Sequence, residues 1–198
     1  RDKLTHAGIY GVDASMATLE NLYGIDISYY ARVNFTSLET IVDALGGVDV
    51  NSEVEFEKNG YSFHKGVNHM NGAQALTFSR ERYSFAEGDN QRGKDQEAVL
   101  TAIIQKATSP AIIKSANEIL AIVSDCVETN MTSEEMAKFI NMQLNDGASW
   151  NIESQAASGK GDTQACYSSG SQLLYVMWPD EAVVANISDK MQKVLTEK

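Results

Sequence analysis

Tyr29-Tyr30-Ala31-Arg32-Val33-Asn34-Phe35 runs directly into Thr36-Ser37-Leu38-Glu39-Thr40-Ile41-Val42-Asp43-Ala44-Leu45-Gly46-Gly47-Val48-Asp49-Val50, and the hydrophobic period changes at the join. Tyr29, Ala31, Val33 and Phe35 alternate, so they share one face of a predicted strand. From Thr36 the apolar residues recur at helical spacing as Leu38, Ile41, Val42 and Leu45. Thr36 with Glu39 forms a capping box at the start, and Gly46-Gly47 ends the helix. Val48–Val50 and Val54–Phe56 then read as short strands. Helix, strand, helix and strand in this order indicate an α/β layered fold.

Working outward, Asp13 is placed to cap a helix over about 14–23, with Gly24 as its C-terminal stop. Asn71 is placed to cap a helix over 72–80. A polar loop follows from Tyr83 to Gly88, and Asp89 opens a long helix over 90–107 whose apolar face carries Val99, Ala102 and Ile103. Ser109-Pro110 starts a helix reaching about Asp125, and Thr132 with Glu135 caps another reaching about Asn145. Trp150–Ala156 reads as a strand and Ser158–Gly161 as a loop. Tyr175–Trp178 is apolar and closed by Pro179, and Asp180 caps a final amphipathic helix. This predicts a domain over residues 1–108 and a smaller α+β extension over 109–198 that packs on it.

The 198 residues suffice for one sizeable core. Sixteen basic against 27 acidic side chains give a net charge of −11. Such a balance argues against nucleic acid as a partner, because that function needs a cationic surplus. No apolar run approaches the ~20 residues of a membrane helix. Cys126 and Cys166 read either as two unrelated thiols or as a disulfide, and no Cys/His spacing suggests zinc. His6, His64 and His69 show no metal-ligand spacing and read as surface or turn residues. Neither a phosphate-binding Gly-rich loop nor a Gly-x-Ser-x-Gly elbow is present.

One charged run stands apart from the solvated faces: Ser79-Arg80-Glu81-Arg82-Tyr83, then Gly88-Asp89-Asn90-Gln91-Arg92-Gly93-Lys94-Asp95-Gln96. Arg80 and Arg82 close one element, and Arg92 lies in the first turn of the next helix, where free N–H groups and the helix dipole attract anions. Arg92 and Gln96 share a helix face. Guanidinium forks suit paired phosphate oxygens, so these residues form a candidate pyrophosphate cradle. The competing reading is that Glu81, Glu87, Asp89 and Asp95 neutralise the bases in surface pairs worth little.

These blocks resemble the LytR-CpsA-Psr family of cell-wall glycopolymer transferases. The resemblance covers about residues 1–108. It is carried by Arg1-Asp2, Leu4-Thr5-His6-Ala7, Asn21-Leu22-Tyr23-Gly24-Ile25, Ile41–Val48, Lys65-Gly66 with Asn71–Leu76, and finally Arg80, Arg82, Gly88-Asp89, Arg92 and Gln96. The resemblance implies an α/β/α layered mixed sheet with helices on both faces, and a long apolar pocket for a polyprenyl chain behind an arginine-rich mouth. It implies that Arg1, Arg80, Arg82 and Arg92 bind phosphate oxygens, that Gln96 orients the head group, and that Asp89 organises the arginines or assists proton transfer. Asp89, Arg82 and Arg92 are then the candidate catalytic residues.

The implied reaction moves a polyprenyl-pyrophosphate-linked glycopolymer, of teichoic acid or capsule type, onto peptidoglycan on the outer face of a Gram-positive-type membrane. Alternatives are a module that binds the lipid pyrophosphate or an anionic polymer without turnover, and a pyrophosphate hydrolase. The family places its first strands and two magnesium-associated aspartates upstream of Arg1-Asp2. The expectation is therefore a magnesium cofactor held outside this chain, a membrane anchor on the N-terminal side, and a sheet that is truncated here or completed by another chain. Where the family often has an arginine before the glutamine, this sequence has Asp95. Extracellular placement favours a Cys126–Cys166 disulfide.

Overall fold

The first helix, α1 (Val12–Tyr23), stops at Gly24, which takes the left-handed φ of 64° and returns its N–H to Glu20 O. Asp13 lies inside the first turn, and Gly11 occupies the N-cap position. The computed structural model describes residues 1–85, 89–147 and 150–196. It divides into two units, one joining Arg1–Tyr30 to Ser154–Lys198 and the other spanning Ala31–Glu153. The division does not fall at Thr108, because Ile112 and Ile119 pack against the core of the second unit.

In the second unit the strand expected over 29–35 contracts to β1 (Ala31–Arg32). The reason is a cap: Asn34, not Thr36, accepts the Ser37 N–H at 2.8 Å and starts α2 (Phe35–Ala44). β2 (Val48–Ser52) follows and buries Val48, Val50 and Ser52 on one face. β3 (Phe56–Lys58) and β4 (Tyr61–Phe63) form a hairpin around Asn59-Gly60, both at positive φ as a tight primed turn requires. β5 (Gly66–Met70) pairs antiparallel with β2. The sequence reading missed β5 because its inward face carries Asn68, whose side chain bonds His64 N–H, His64 O and Gly66 O.

α3 (Gly72–Arg80) opens with the Asn71–Gln74 capping box, and α4 (Asp89–Ala107) presents Val99 and Ala102 to the core. Gly72 is required here: a Cβ on it would stand 2.4 Å from Glu39 O, so α2 and α3 could not approach. The helix expected over 110–125 breaks into α5 (Pro110–Ile113) and α6 (Ala116–Val123). β6 (Glu128–Thr129) pairs with β1, and α7 (Ser133–Asp146) carries the Thr132–Glu135 capping box.

Residues 150–156, divided between the two units, are not a strand. The strand is β7 (Gly159–Ala165), paired along its length with β8 (Leu173–Pro179). β7 is rich in glycine and polar residues, so pairing rather than propensity makes it a strand. Asp180 caps α8 (Glu181–Thr196) by accepting from Ala182 N–H at 2.9 Å. α8 packs on α1, with Gln192 donating to Gly24 O at 2.7 Å.

The fold is mixed α/β, as expected, and among the described residues its strands pair only as two-stranded antiparallel ribbons. Cys126 and Cys166 are both free thiols, so the disulfide is not formed. Cys166 is buried, and its N–H is used by Ser169 Oγ within a local turn.

The second unit's core centres on Phe56, Phe63 and Phe78, with ring centroids 4.7 Å (Phe56–Phe63), 5.6 Å (Phe56–Phe78) and 5.3 Å (Phe63–Phe78) apart. These rings fasten the β3–β4 hairpin to α3. Phe78→Ala is therefore expected to cost about 4 kcal/mol, read as a lower denaturant midpoint in chemical unfolding of the chain.

Candidate functional site

Glu81 follows α3 in extended conformation, φ −70° and ψ 136°, and extended backbone sends successive side chains to opposite sides. Glu81 accordingly turns inward, 3% exposed, while Arg80 and Arg82 turn outward. The inward carboxylate accepts from Tyr83 N–H at 2.6 Å and Ser84 N–H at 2.9 Å, and meets Lys58 Nζ at 2.9 Å. Desolvation acts to raise its pKa, but the Lys58 and backbone hydrogen bonds prevail and hold it down at about 2. Glu81 is thus no surface partner of the arginines: it is the internal anchor of the turn that displays them.

Each displayed guanidinium rests on an aromatic ring. Arg80 lies 4.5 Å from the centroid of Phe35, and Arg82 lies 4.6 Å from that of Tyr83 while donating to the Tyr83 hydroxyl. Phe35 and Tyr83 are large rings left 56% and 77% exposed. No pattern in the sequence marked Phe35, since its contact with Arg80 depends on the packing of α2 and α3; Tyr83 is simply the chain neighbour of Arg82.

α4 brings the other members. Gln96 Nε2 donates to Ser79 O at 3.2 Å, which ties the Arg92–Gln96 face of α4 to the end of α3, one residue before Arg80. Arg92 is partly buried in the first turn. The next residue face is different in kind. Asp95, 2% exposed, lies in helical register with Val99 and Ala102 on the core side, a helical neighbour of Arg92. One of its oxygens takes Gln91 Nε2 at 2.9 Å, and Oδ2 has no partner. Burial chiefly, with the neighbouring Glu53 charge adding to it, raises its pKa to about 6.

The side chain of Asp89, and Glu87 and Gly88 entirely, lie outside the described residues. Arg1 belongs to the other unit, where its guanidinium lies 5.2 Å from the Trp178 ring centroid. The same unit contains a cluster the sequence reading overlooked: His6 Nδ1 lies 2.6 Å from Asp2 Oδ1 and 2.7 Å from Ser168 Oγ. Desolvation works against the Asp2 carboxylate's ionisation, yet the bonds from His6, Lys3 N–H and Ser168 set its pKa at about 2. Both contacts fall on one ring nitrogen, so this is not the two-nitrogen relay that activates a serine.

A cleft of about 560 Å³ adjoins the arginines, running along one face of α3 between α2 and the β3–β4 hairpin. Ala73, Leu76, Thr77 and Arg80 form one wall, and Asn59, Tyr61 and Lys58 the other. This mixed lining is not the long apolar pocket implied by the resemblance. Among the described residues no group of three His, Cys, Asp or Glu side chains could hold a metal ion, Glu81 is committed to Lys58, and Asp95 faces the core. These residues do not fit a magnesium site.

Two pH effects follow. The contribution of Glu81 is present above its ordinary value of 4.5 and is lost as pH falls through about 2. Glu81→Gln should therefore lower stability by about 2 kcal/mol at pH 7, with the gap to the parent chain closing toward pH 2. Asp95 has the opposite sign: its raised pKa means stability is lost as pH rises from 3.8 through about 6. Asp95→Asn should stabilise by about 3 kcal/mol at pH 7.5 and by nothing below pH 3.8, measured by denaturant titration across pH.

The LytR_cpsA_psr family model matches residues 1–192, so the match runs well beyond the first 108 residues. A relative from Bacillus mycoides, named polyisoprenyl-teichoic acid–peptidoglycan teichoic acid transferase TagU, is 41% identical over 145 residues, covering 73% of this chain and 47% of the relative. The relative of the same name from Enterococcus faecalis is 37% identical over 139 residues, 70% of this chain and 46% of its own. The chain spans about half the length of the curated relatives it matches. The crystal structure of B. subtilis TagU superposes with a TM-score of 0.75 at 28% identity, covering 100% of this chain and 78% of that one. That of B. subtilis TagV gives 0.80 at 26% identity, covering 99% and 75%. The chain belongs to the LytR-CpsA-Psr family.

Proposed function

We propose that this chain carries the phosphate-binding part of a phosphotransferase that moves a polyprenyl-pyrophosphate-linked glycopolymer, of teichoic acid type, onto peptidoglycan. The observation that supports the reading is the turn at Glu81: a buried carboxylate stands between the exposed Arg80 and Arg82, and the Gln96–Ser79 bond ties α4, which carries Arg92, to the end of α3. The names of the relatives from B. mycoides and E. faecalis support the choice of polymer and acceptor.

In the reaction, a peptidoglycan hydroxyl attacks the phosphorus that bears the glycan, and the bond to the lipid phosphate breaks. Polyprenyl phosphate departs with the bonding electrons. Negative charge grows on the bridging and leaving oxygens, where fixed guanidinium groups stabilise it more than they stabilise the ground state. Arg80, Arg82 and Arg92 bind phosphate oxygens, and Gln96 orients the head group. Asp89 takes the hydroxyl proton or organises the arginines. Magnesium, as the resemblance expects it, would add charge neutralisation at the pyrophosphate. An extracellular site at the membrane surface, reached through an N-terminal anchor, follows from substrates of this kind.

The test is transfer of labelled glycan from a synthetic polyprenyl-pyrophosphate donor to peptidoglycan, with and without magnesium. Arg82→Ala and Arg92→Ala should each lower turnover by about 100-fold, and Arg82→Lys should recover only part of the loss. Binding of the donor with no turnover under either condition would assign a non-catalytic module. Release of free phosphosugar without acceptor would assign a hydrolase.

A further inference from the structure

Asp95 puts an ionisable group where an ion has little to solvate it. Its Oδ1 takes the amide of Gln91, itself buried, at 2.9 Å, and Oδ2 has no hydrogen-bond partner among the described residues. A carboxyl in such surroundings sheds its charge by taking up a proton. Its pKa of about 6 agrees with that geometry. The group therefore changes charge close to neutral pH.

The charges around it do not hold it ionised. α4 packs chiefly on β2, α3 and α5. On β2, Asp49 lies on the exposed face, 2.7 Å from His69 Nδ1. Glu53, just beyond β2, adds a like charge and is itself met at 3.7 Å by the exposed Lys94 of α4. The charged residue of α3 is the exposed Arg80 at its end, and α5 has none. On α4 itself the cation at contact spacing is Arg92, three residues earlier. Arg92 also shares a face with Gln96, which is tied to the end of α3. Two negative groups can thus compete for one guanidinium: the anion of the proposed site, and the Asp95 carboxylate when it is ionised.

We propose that Asp95 is a positioning residue that makes anion binding at the arginines proton-linked: uncharged, it exerts no pull on Arg92, and ionised, it draws the guanidinium back along the helix and weakens the anion's hold. The inference rests on the phosphate-binding reading of the site and adds a regulation to it. Linkage makes the effect mutual. Ionisation lowers anion affinity, so bound anion raises proton affinity by the same factor, and binding near neutral pH takes up part of a proton. The factor expected is about tenfold, that of a unit charge one helical turn from a cation in a partly screened setting.

Two measurements on the 198-residue chain test this. The Asp95 carboxyl is followed by carbon-13 NMR from about pH 4 to about pH 8 and identified by its loss in Asp95→Asn. Its midpoint should lie at about 6 in the parent chain and fall in Glu53→Gln. In Arg92→Ala it should rise by about one unit, because the cation that favours the charged form is gone. Methanedisulfonate, a pyrophosphate-shaped dianion that keeps its charge over this range, is then titrated by calorimetry in buffers of different ionisation enthalpy. The parent should bind it about tenfold more tightly at about pH 5 than at about pH 7.5, with proton uptake near the midpoint. Asp95→Asn should bind it equally at both, without that uptake.

A carboxyl already ionised at about pH 4 overturns the inference, as does a midpoint indifferent to both Arg92→Ala and the dianion. The phosphate-binding reading survives either result if Arg82→Ala still weakens the dianion. Binding with the same pH dependence in Asp95→Asn also overturns the inference, since another group then carries the linkage. A midpoint that moves with Arg92→Ala while the dianion binds at no pH sinks the phosphate-binding reading and the regulation with it, leaving a structural ion pair.

Discussion

The buried Glu81 carboxylate is the constraint on which the site depends. A charge taken out of water is tolerated only where hydrogen bonds replace its hydration, and here Lys58 and two backbone N–H groups do so. The consequence is geometric. Once Glu81 is held inside, its neighbours Arg80, the last residue of α3, and Arg82 are left exposed. Lys58 comes from the β3–β4 hairpin, and that hairpin is fastened to α3 by the three phenylalanines. The apolar core and the charged surface are therefore connected through one ion pair.

α4 divides the electrostatics of the region by helix face. Its core side carries Asp95, Val99 and Ala102, and a neighbouring face carries Arg92 and Gln96. In a chain with a net charge of −11, a cationic patch survives only where nearby acids are directed elsewhere. Glu81 is tied to Lys58, and Asp95 is turned into the core. The stacked rings of Phe35 and Tyr83 complete the arrangement by restricting two guanidinium groups that would otherwise sample many rotamers.

Much of the local structure was legible in residue order. The Asn71 cap, the capping box at Thr132, the glycine stop at Gly24 and the Asp180 cap are short-range hydrogen-bond patterns, and all four lie within a few residues of their helices. The strands were harder. β5 buries Asn68 where alternation demands an apolar residue, and β7 exists because β8 lies beside it. The 29–35 segment shows two local signals in competition: its alternation was real, but the Asn34 cap took Phe35 into the helix and thereby placed that ring beneath Arg80.

By itself, the sequence nominated the candidate residues of the site, because arginines, a helix start and a spacing of four are properties of the chain read in order. It also determined the family, through several blocks in a set order. Only the tertiary structure decided that Glu81 and Asp95 are buried, that the cleft beside Arg80 has a mixed lining, and that the Phe35 ring lies against Arg80. The physical reason is that burial, desolvation and ring stacking are relations between segments far apart in the chain, and no local pattern encodes the distance between them.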